Sequence, residues 1–116
     1  MKTRMFGIPN CDTVKKARSW LETHGVAYAF HDYKKVGIDE ATLRRWSAQL
    51  GWEALLNRKG TTFRKLPEAE RAHLNEDNAI ALMLASPSMI KRPVIEQGTV
   101  LLAGFAPDTY LKQITG

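Results

Sequence analysis

The chain has 116 residues, 44% of them hydrophobic, which is one domain's worth and enough for an ordinary core without a metal or disulfide staple. Cys11 is the only cysteine, so an internal disulfide is excluded, and His24, His31 and His73 show no metal-ligand spacing. The balance of 17 Lys+Arg against 12 Asp+Glu, formally +5, suits anionic partners in general, whether phosphate, oxyanions, acidic peptides or nucleic acid, and serves solubility equally well.

Residues 3–7 read as a short strand, and Gly7-Ile8-Pro9-Asn10 is turn chemistry ahead of a helix. In that helix Val14, Ala17 and Leu21 share one face, Trp20 sits beside them, and Gly25 stands where a glycine closes a helix. Alternation from Val26 to Tyr33 predicts a second strand, parallel to the first through a right-handed crossover. The middle is helical. Asp39 caps a segment with a Leu43, Trp46 and Leu50 stripe, Ile38 can staple against Leu43, and Gly51 ends it. A turn or two follows over Trp52 to Leu56. Lys59 to Lys65 reads as a polar loop, Pro67 as the first position of a short helix, and Asn75 as the cap of a helix from Glu76 to Ala85. Val94 to Glu96 and Thr99 to Ala103 then make a hairpin across Gln97-Gly98, and a last helix runs from about Pro107 to Ile114. The order β-α-β, helical block, β-β-α predicts an α/β chain with a thioredoxin-like sheet, its two halves separated by a helical insertion at about 38–86, all within one domain spanning 1–116. No stretch approaches the ~20 apolar residues of a membrane span and residues 1–10 hold no signal-like apolar run, so the expected address is the cytoplasm.

Cys11 falls at the loop-to-helix junction, where free N–H groups and the helix dipole favour a thiolate by up to about 2 kcal/mol. The opposing reading is an inert, buried cysteine, against which the position after Pro9-Asn10 argues. Spacing removes two cysteine chemistries: a Cys-x5-Arg phosphatase loop would need arginine at Ala17, with Arg18 one residue late, and a Cys-x-x-Cys dithiol would need cysteine at Val14. Cys11 is therefore expected to act as a monothiol, resolved by a second thiol from outside the chain, in a cytosol most simply glutathione.

The run Gly7-Ile8-Pro9-Asn10-Cys11-Asp12-Thr13-Val14-Lys15-Lys16-Ala17, with Leu55-Leu56-Asn57-Arg58-Lys59 and Ile90-Lys91-Arg92-Pro93-Val94 downstream, resembles the arsenate reductase (ArsC) family. The resemblance is closest to its YffB-like branch, to which the Spx and MgsA regulators are related. It implies a thioredoxin-like fold with a mixed four-stranded sheet, Cys11 as the catalytic nucleophile, and glutathione as electron donor and co-substrate rather than bound cofactor. Glutaredoxin is a further implied partner. Three arginines hold the oxyanion beside the cysteine in the glutathione-coupled arsenate reductases, and two carry over as Arg58 and Arg92. The resemblance also places Asn10, Asp12, Arg58, Arg92 and Pro93 at the glutathione or substrate site. Pro93 matches a proline that is cis in thioredoxin-like proteins, beside a backbone edge open to an extended peptide. The third arginine is missing: Leu102-Ala103-Gly104-Phe105 holds no basic side chain. A charge-assisted arginine contact is worth about 1.5–3 kcal/mol, so its loss weakens arsenate handling by roughly one to two decades.

The expectation is thus a monomeric, glutathione-dependent thiol reductase with no metal and no membrane association. Its rivals are an Spx-like interaction module that binds RNA polymerase, although Val14 breaks the Cys-x-x-Cys switch common there, and an arsenate reductase working despite Gly104. Arg58 and Arg92 can also be read as solvated surface charges. The stretch Arg58-Lys59-Gly60-Thr61-Thr62-Phe63-Arg64-Lys65 reads as a flexible loop over the active site in preference to a nucleic-acid contact. Trp46 and Trp52 are expected in the core.

Overall fold

The computed structural model describes residues 2–115. The chain divides into two compact units, residues 1–33 with 92–116, and residues 34–91.

In the first unit, strands β1 (Thr3–Gly7), β2 (Ala29–Asp32), β3 (Val94–Gln97) and β4 (Val100–Ala103) form one sheet in the order β2-β1-β3-β4. β1 and β2 run parallel, with Phe6 opposite His31; β1 and β3 are antiparallel, with Phe6 opposite Val94; β3 and β4 are antiparallel, with Val94 opposite Ala103. This mixed sheet, with helices α1 (Asp12–Thr23) and α8 (Pro107–Gln113), has the expected thioredoxin-like arrangement. Alternation along β1 and β3 turns Met5 and Ile95 into a core with Val14, Ala17 and Leu21 of α1 and with Val26, Tyr110 and Ile114. Burying each large aliphatic side chain there contributes about 1.5–3 kcal/mol.

The second strand is shorter than its alternation predicts. Gly25 (φ 70°) closes α1, with the Gly25 N–H bonded to the Glu22 carbonyl at 3.2 Å and the Val26 N–H to the Leu21 carbonyl at 2.9 Å, the double bond of a Schellman end. Val26 is thereby spent on the helix end rather than the sheet. Tyr33 leaves the strand at its other end and opens a single helical turn, α2 (Tyr33–Val36).

The second unit holds α3 (Glu40–Leu50), α4 (Trp52–Leu55), α5 (Thr61–Arg64), α6 (Glu68–Ala72), α7 (Glu76–Ala85) and a 3-10 turn, Pro87–Met89. Asp39 and Asn75 cap α3 and α7, each side-chain oxygen accepting from the backbone N–H three residues on at 2.8 Å. Leu43, Trp46, Leu55, Ile80, Met83 and Ile90 are fully buried. Arg44 of α3 bonds Asp77 at 2.8 Å and Ser47 bonds Glu76 at 2.9 Å, which ties α3 to the first turn of α7. The Lys91 N–H donates to the Leu55 carbonyl at 2.7 Å, and Leu56 bridges Ile90.

Three expectations are corrected in this unit. The stretch read as a polar loop contains the α5 turn, because Phe63 at its centre is buried and its apolar ring outweighs its polar neighbours. Trp52 is only half-buried, unlike Trp46. Pro67 is the residue before α6 rather than its first position.

Candidate active site

The site begins at the end of β1. Gly7 is buried, and a Cβ there would come within 3.0 Å of Val14 Cγ2, so glycine allows α1 to lie close against the strand. Ile8 is buried, Pro9 and Asn10 make an exposed turn, and Cys11 follows in extended conformation (φ −134°, ψ 127°) as the N-cap of α1. Its carbonyl accepts the first helical bond, from the Lys15 N–H at 2.9 Å. The side chain is half-buried, resting against the Met5–Val14–Ile95 core.

Partial burial pushes the Cys11 thiol up, and four other effects outweigh it: the Val14 N–H, a hydrogen bond from the Arg92 side chain, the Thr13 N–H and the positive charge of Arg92. The net result is a thiol held below its ordinary value. Neither amide closes a full capping bond onto the sulfur at rest, so both act as oriented donors whose attraction grows once the sulfur is charged. Thr13 and Val14 are the second and third residues of α1, the positions whose N–H groups lack a partner in any helix. The arrangement favours a nucleophilic thiolate on a half-exposed surface.

Arg92 is half-buried in a bend, and the Arg92–Pro93 peptide bond is cis, as the resemblance implies. Pro93 is buried, and its carbonyl accepts from the Gly104 N–H at 2.8 Å. Gly104 has φ 87°, and its carbonyl accepts from the Tyr110 hydroxyl at 2.7 Å. An arginine at this position would carry backbone strain, although the two main-chain hydrogen bonds would be open to it as well.

Of the residues expected at the site, the structure brings Cys11, Arg92 and Pro93 together within the first unit. Asn10 is exposed in the turn, and Asp12 is the exposed first residue of α1. Arg58 belongs to the second unit, where its guanidinium lies 5.5 Å from the Trp52 ring centroid and 3.9 Å from a Glu53 carboxylate oxygen. Gly7 was legible only as a turn residue; its packing role needs the Val14 contact. Tyr33 gives no signal in the sequence beyond closing the stretch read as the second strand, yet its phenol is buried, and burial pushes it far up against the opposing positive charge of Arg92. Among the described residues no group of three or more His, Cys, Asp or Glu side chains is arranged to hold a metal ion, and no helix is long and apolar enough to cross a membrane.

Comparison with known proteins agrees with this geometry. The ArsC family profile matches residues 6–113. An uncharacterized Haemophilus influenzae protein is 40% identical over 106 residues, 91% of this chain and 93% of that one. The solved structure of a protein named YFFB is 60% identical, covers 98% of this chain and 100% of its own, and superposes with a TM-score of 0.94. An arsenate reductase (ArsC) related protein from Brucella melitensis is 55% identical, with 97% and 93% coverage and a TM-score of 0.79. The global transcriptional regulator Spx of Streptococcus mutans is 27% identical over 106 residues, 90% of this chain and 77% of that one. With a profile match along nearly its whole length and relatives of this identity, the chain belongs to the ArsC family.

Proposed function

We propose that the protein is a glutathione-dependent monothiol reductase with Cys11 as nucleophile. The observation that carries this reading is the position of the sulfur, at the N-cap of α1 with the Arg92 side chain bonded to it and the net balance favouring the thiolate. In the first half-reaction the Cys11 thiolate attacks a disulfide sulfur of glutathione or of a glutathionylated substrate. A Cys11–glutathione bond forms, the original disulfide breaks, and its other sulfur leaves as a thiolate. With no second cysteine in the chain, a further glutathione thiolate attacks the mixed disulfide, releases oxidised glutathione and restores Cys11. Arg92 holds the attacking sulfur anionic and meets a carboxylate of the tripeptide, and the family resemblance makes Arg58 a second candidate anion-binding arginine. Asn10, Asp12 and Pro93 line its place. Glutaredoxin serves as an auxiliary reductant, and the chain works as a cytoplasmic monomer, where glutathione keeps a lone thiol reduced.

Intact mass spectrometry after incubation with oxidised glutathione tests this reading. Wild type is expected to gain one glutathione and Cys11→Ala none; an unmodified wild type would sink it.

Similarity to Spx favours a second reading, a regulatory module that binds RNA polymerase. Purified polymerase passed over the immobilised protein separates the two: retention together with an absent glutathione adduct favours the regulator. Arsenate reduction is a third outcome, and turnover of arsenate with glutathione and glutaredoxin measures it. The glycine at 104 leads us to expect none above background.

A further inference from the structure

Tyr110 of α8 is 1% exposed, and its ring packs edge-to-face with Trp20 at 5.4 Å and with Phe105 at 5.2 Å between centroids. A phenylalanine would make both contacts, so the hydroxyl needs its own account. Its hydrogen is donated to the Gly104 carbonyl at 2.7 Å. Burial pushes the phenol up, beyond the range in which a thiol titrates, so the O–H stays a donor wherever Cys11 changes charge.

Gly104 is the residue after β4, and both of its main-chain polar groups are used. Its carbonyl takes the Tyr110 hydroxyl, and its N–H reaches one step past the Val94–Ala103 pair, to the Pro93 carbonyl at 2.8 Å. Proline has no N–H, so that carbonyl is the one main-chain group by which Pro93 can be hydrogen-bonded in place. Arg92 is joined directly to Pro93, and its side chain bonds the Cys11 sulfur. A line of contacts therefore runs from a phenol in α8 through Gly104 and Pro93 to the arginine on the thiol. Every member of it lies in the first unit. The last contact is a charge-assisted hydrogen bond, whose strength depends steeply on distance and angle, so a small displacement of the Pro93 backbone is felt at the sulfur.

We propose that Tyr110 is a positioning residue for Arg92: its hydroxyl, by anchoring Gly104, fixes the Pro93 backbone from which Arg92 reaches the Cys11 sulfur. This rests on the reading of Cys11 as a thiolate nucleophile and adds a residue that acts on it from a distance. Glycine has more backbone freedom than any other residue, so the segment between β4 and α8 relies on such a bond to keep one conformation. Losing the hydroxyl lets Gly104 and Pro93 shift, weakens the Arg92 bond and returns part of the thiolate to the thiol form. A hydroxyl that only stabilised the core would lower the melting temperature and leave the sulfur as it was.

Full-length wild type, Tyr110→Phe, Arg92→Ala, the double variant and Ile114→Val are compared by iodoacetamide alkylation rate against pH and by thermal unfolding. Ile114→Val trims the same core, so it reports what lost stability alone does to the thiol. Tyr110→Phe, which keeps the ring contacts, is expected to move the profile upward and slow alkylation about two- to fivefold at neutral pH, no more than Arg92→Ala does. In the Arg92→Ala background the same substitution should leave the profile where it is, because the contact it serves is gone. Ile114→Val should melt lower with an unmoved profile. The proposal is overturned by a Tyr110→Phe profile that coincides with wild type, by an equal shift in the Arg92→Ala background, or by a like shift in Ile114→Val. Intact mass after oxidised glutathione, taken on the same samples, keeps this apart from the reductase reading. An adduct on wild type with an unmoved Tyr110→Phe profile removes the Tyr110 assignment alone. No adduct on wild type, with the profiles shifting as described, counts against glutathione as co-substrate and leaves the assignment in place.

Discussion

Cys11 shows how one side chain inherits its chemistry from the backbone that carries it. The amides of Thr13 and Val14 would be unsatisfied in any helix, and here a sulfur sits where they point. Because the folded thiol titrates below its unfolded value, the unfolded state binds more protons between the two values, and stability rises with pH across that window. The contribution is complete above the unfolded thiol's titration and is lost as pH falls through the folded one. Denaturation midpoints of wild type should therefore climb relative to Cys11→Ser as pH is raised from neutral toward 9, whereas parallel profiles would mean that the thiolate receives no help from the fold. The sequence made the cysteine legible because its neighbours announce a turn and a helix start. Arg92 was legible only through the family resemblance, since no local spacing links residues so far apart in the chain.

Elements followed the sequence wherever periodicity and caps agreed. β1 over Thr3–Gly7, α3 behind Asp39 and α7 behind Asn75 all lie where apolar spacing and a capping residue place them. Removing one such cap, Asn75→Ala, should cost about 1 kcal/mol in chemical denaturation. Short elements escaped. A four-residue turn such as α2 or α5 is too short to show a helical period, and only the burial of Tyr33 and Phe63 gives away that each is packed. The closest fit between elements is at Gly7. Gly7→Ala presses a methyl group onto Val14, a stiff, fully buried side chain, and should cost about 1–3 kcal/mol. If that substitution also slows thiol alkylation, α1 has shifted; an unchanged rate with lower stability would confine Gly7 to packing.

Each unit of the molecule has its own closure. In the first, Gln97 is buried with its amide fully used: the nitrogen donates to Thr3 Oγ1 at 2.8 Å and to the Thr115 carbonyl at 2.6 Å, and the oxygen accepts from the Thr115 N–H at 2.8 Å and its hydroxyl at 3.1 Å. One side chain thereby ties the chain beyond α8 to the β1 end of the sheet. Gln97→Leu strands Thr3 Oγ1 and should destabilise by about 2 kcal/mol or more in thermal or urea unfolding; an unaffected midpoint would mean that water replaces the amide. In the second unit Trp46 is fully enclosed, and Trp46→Ala should cost about 3–5 kcal/mol. The helical unit spans residues 34–91, somewhat wider than the segment of about 38–86 read from caps and breakers, because the turn after Tyr33 and the Lys91 bond to Leu55 belong with the helices. The Gln97 clamp was illegible in advance, since a glutamine in a strand reads as solvated until its partners are in place.

The central claim is that the fold itself keeps this sulfur anionic, and the rate of iodoacetamide alkylation as a function of pH measures that directly. Wild type should titrate below an ordinary cysteine, and Arg92→Ala should move the profile upward, slowing alkylation several-fold at neutral pH. A wild-type profile coinciding with that of a free thiol, unmoved by Arg92→Ala, would contradict the account.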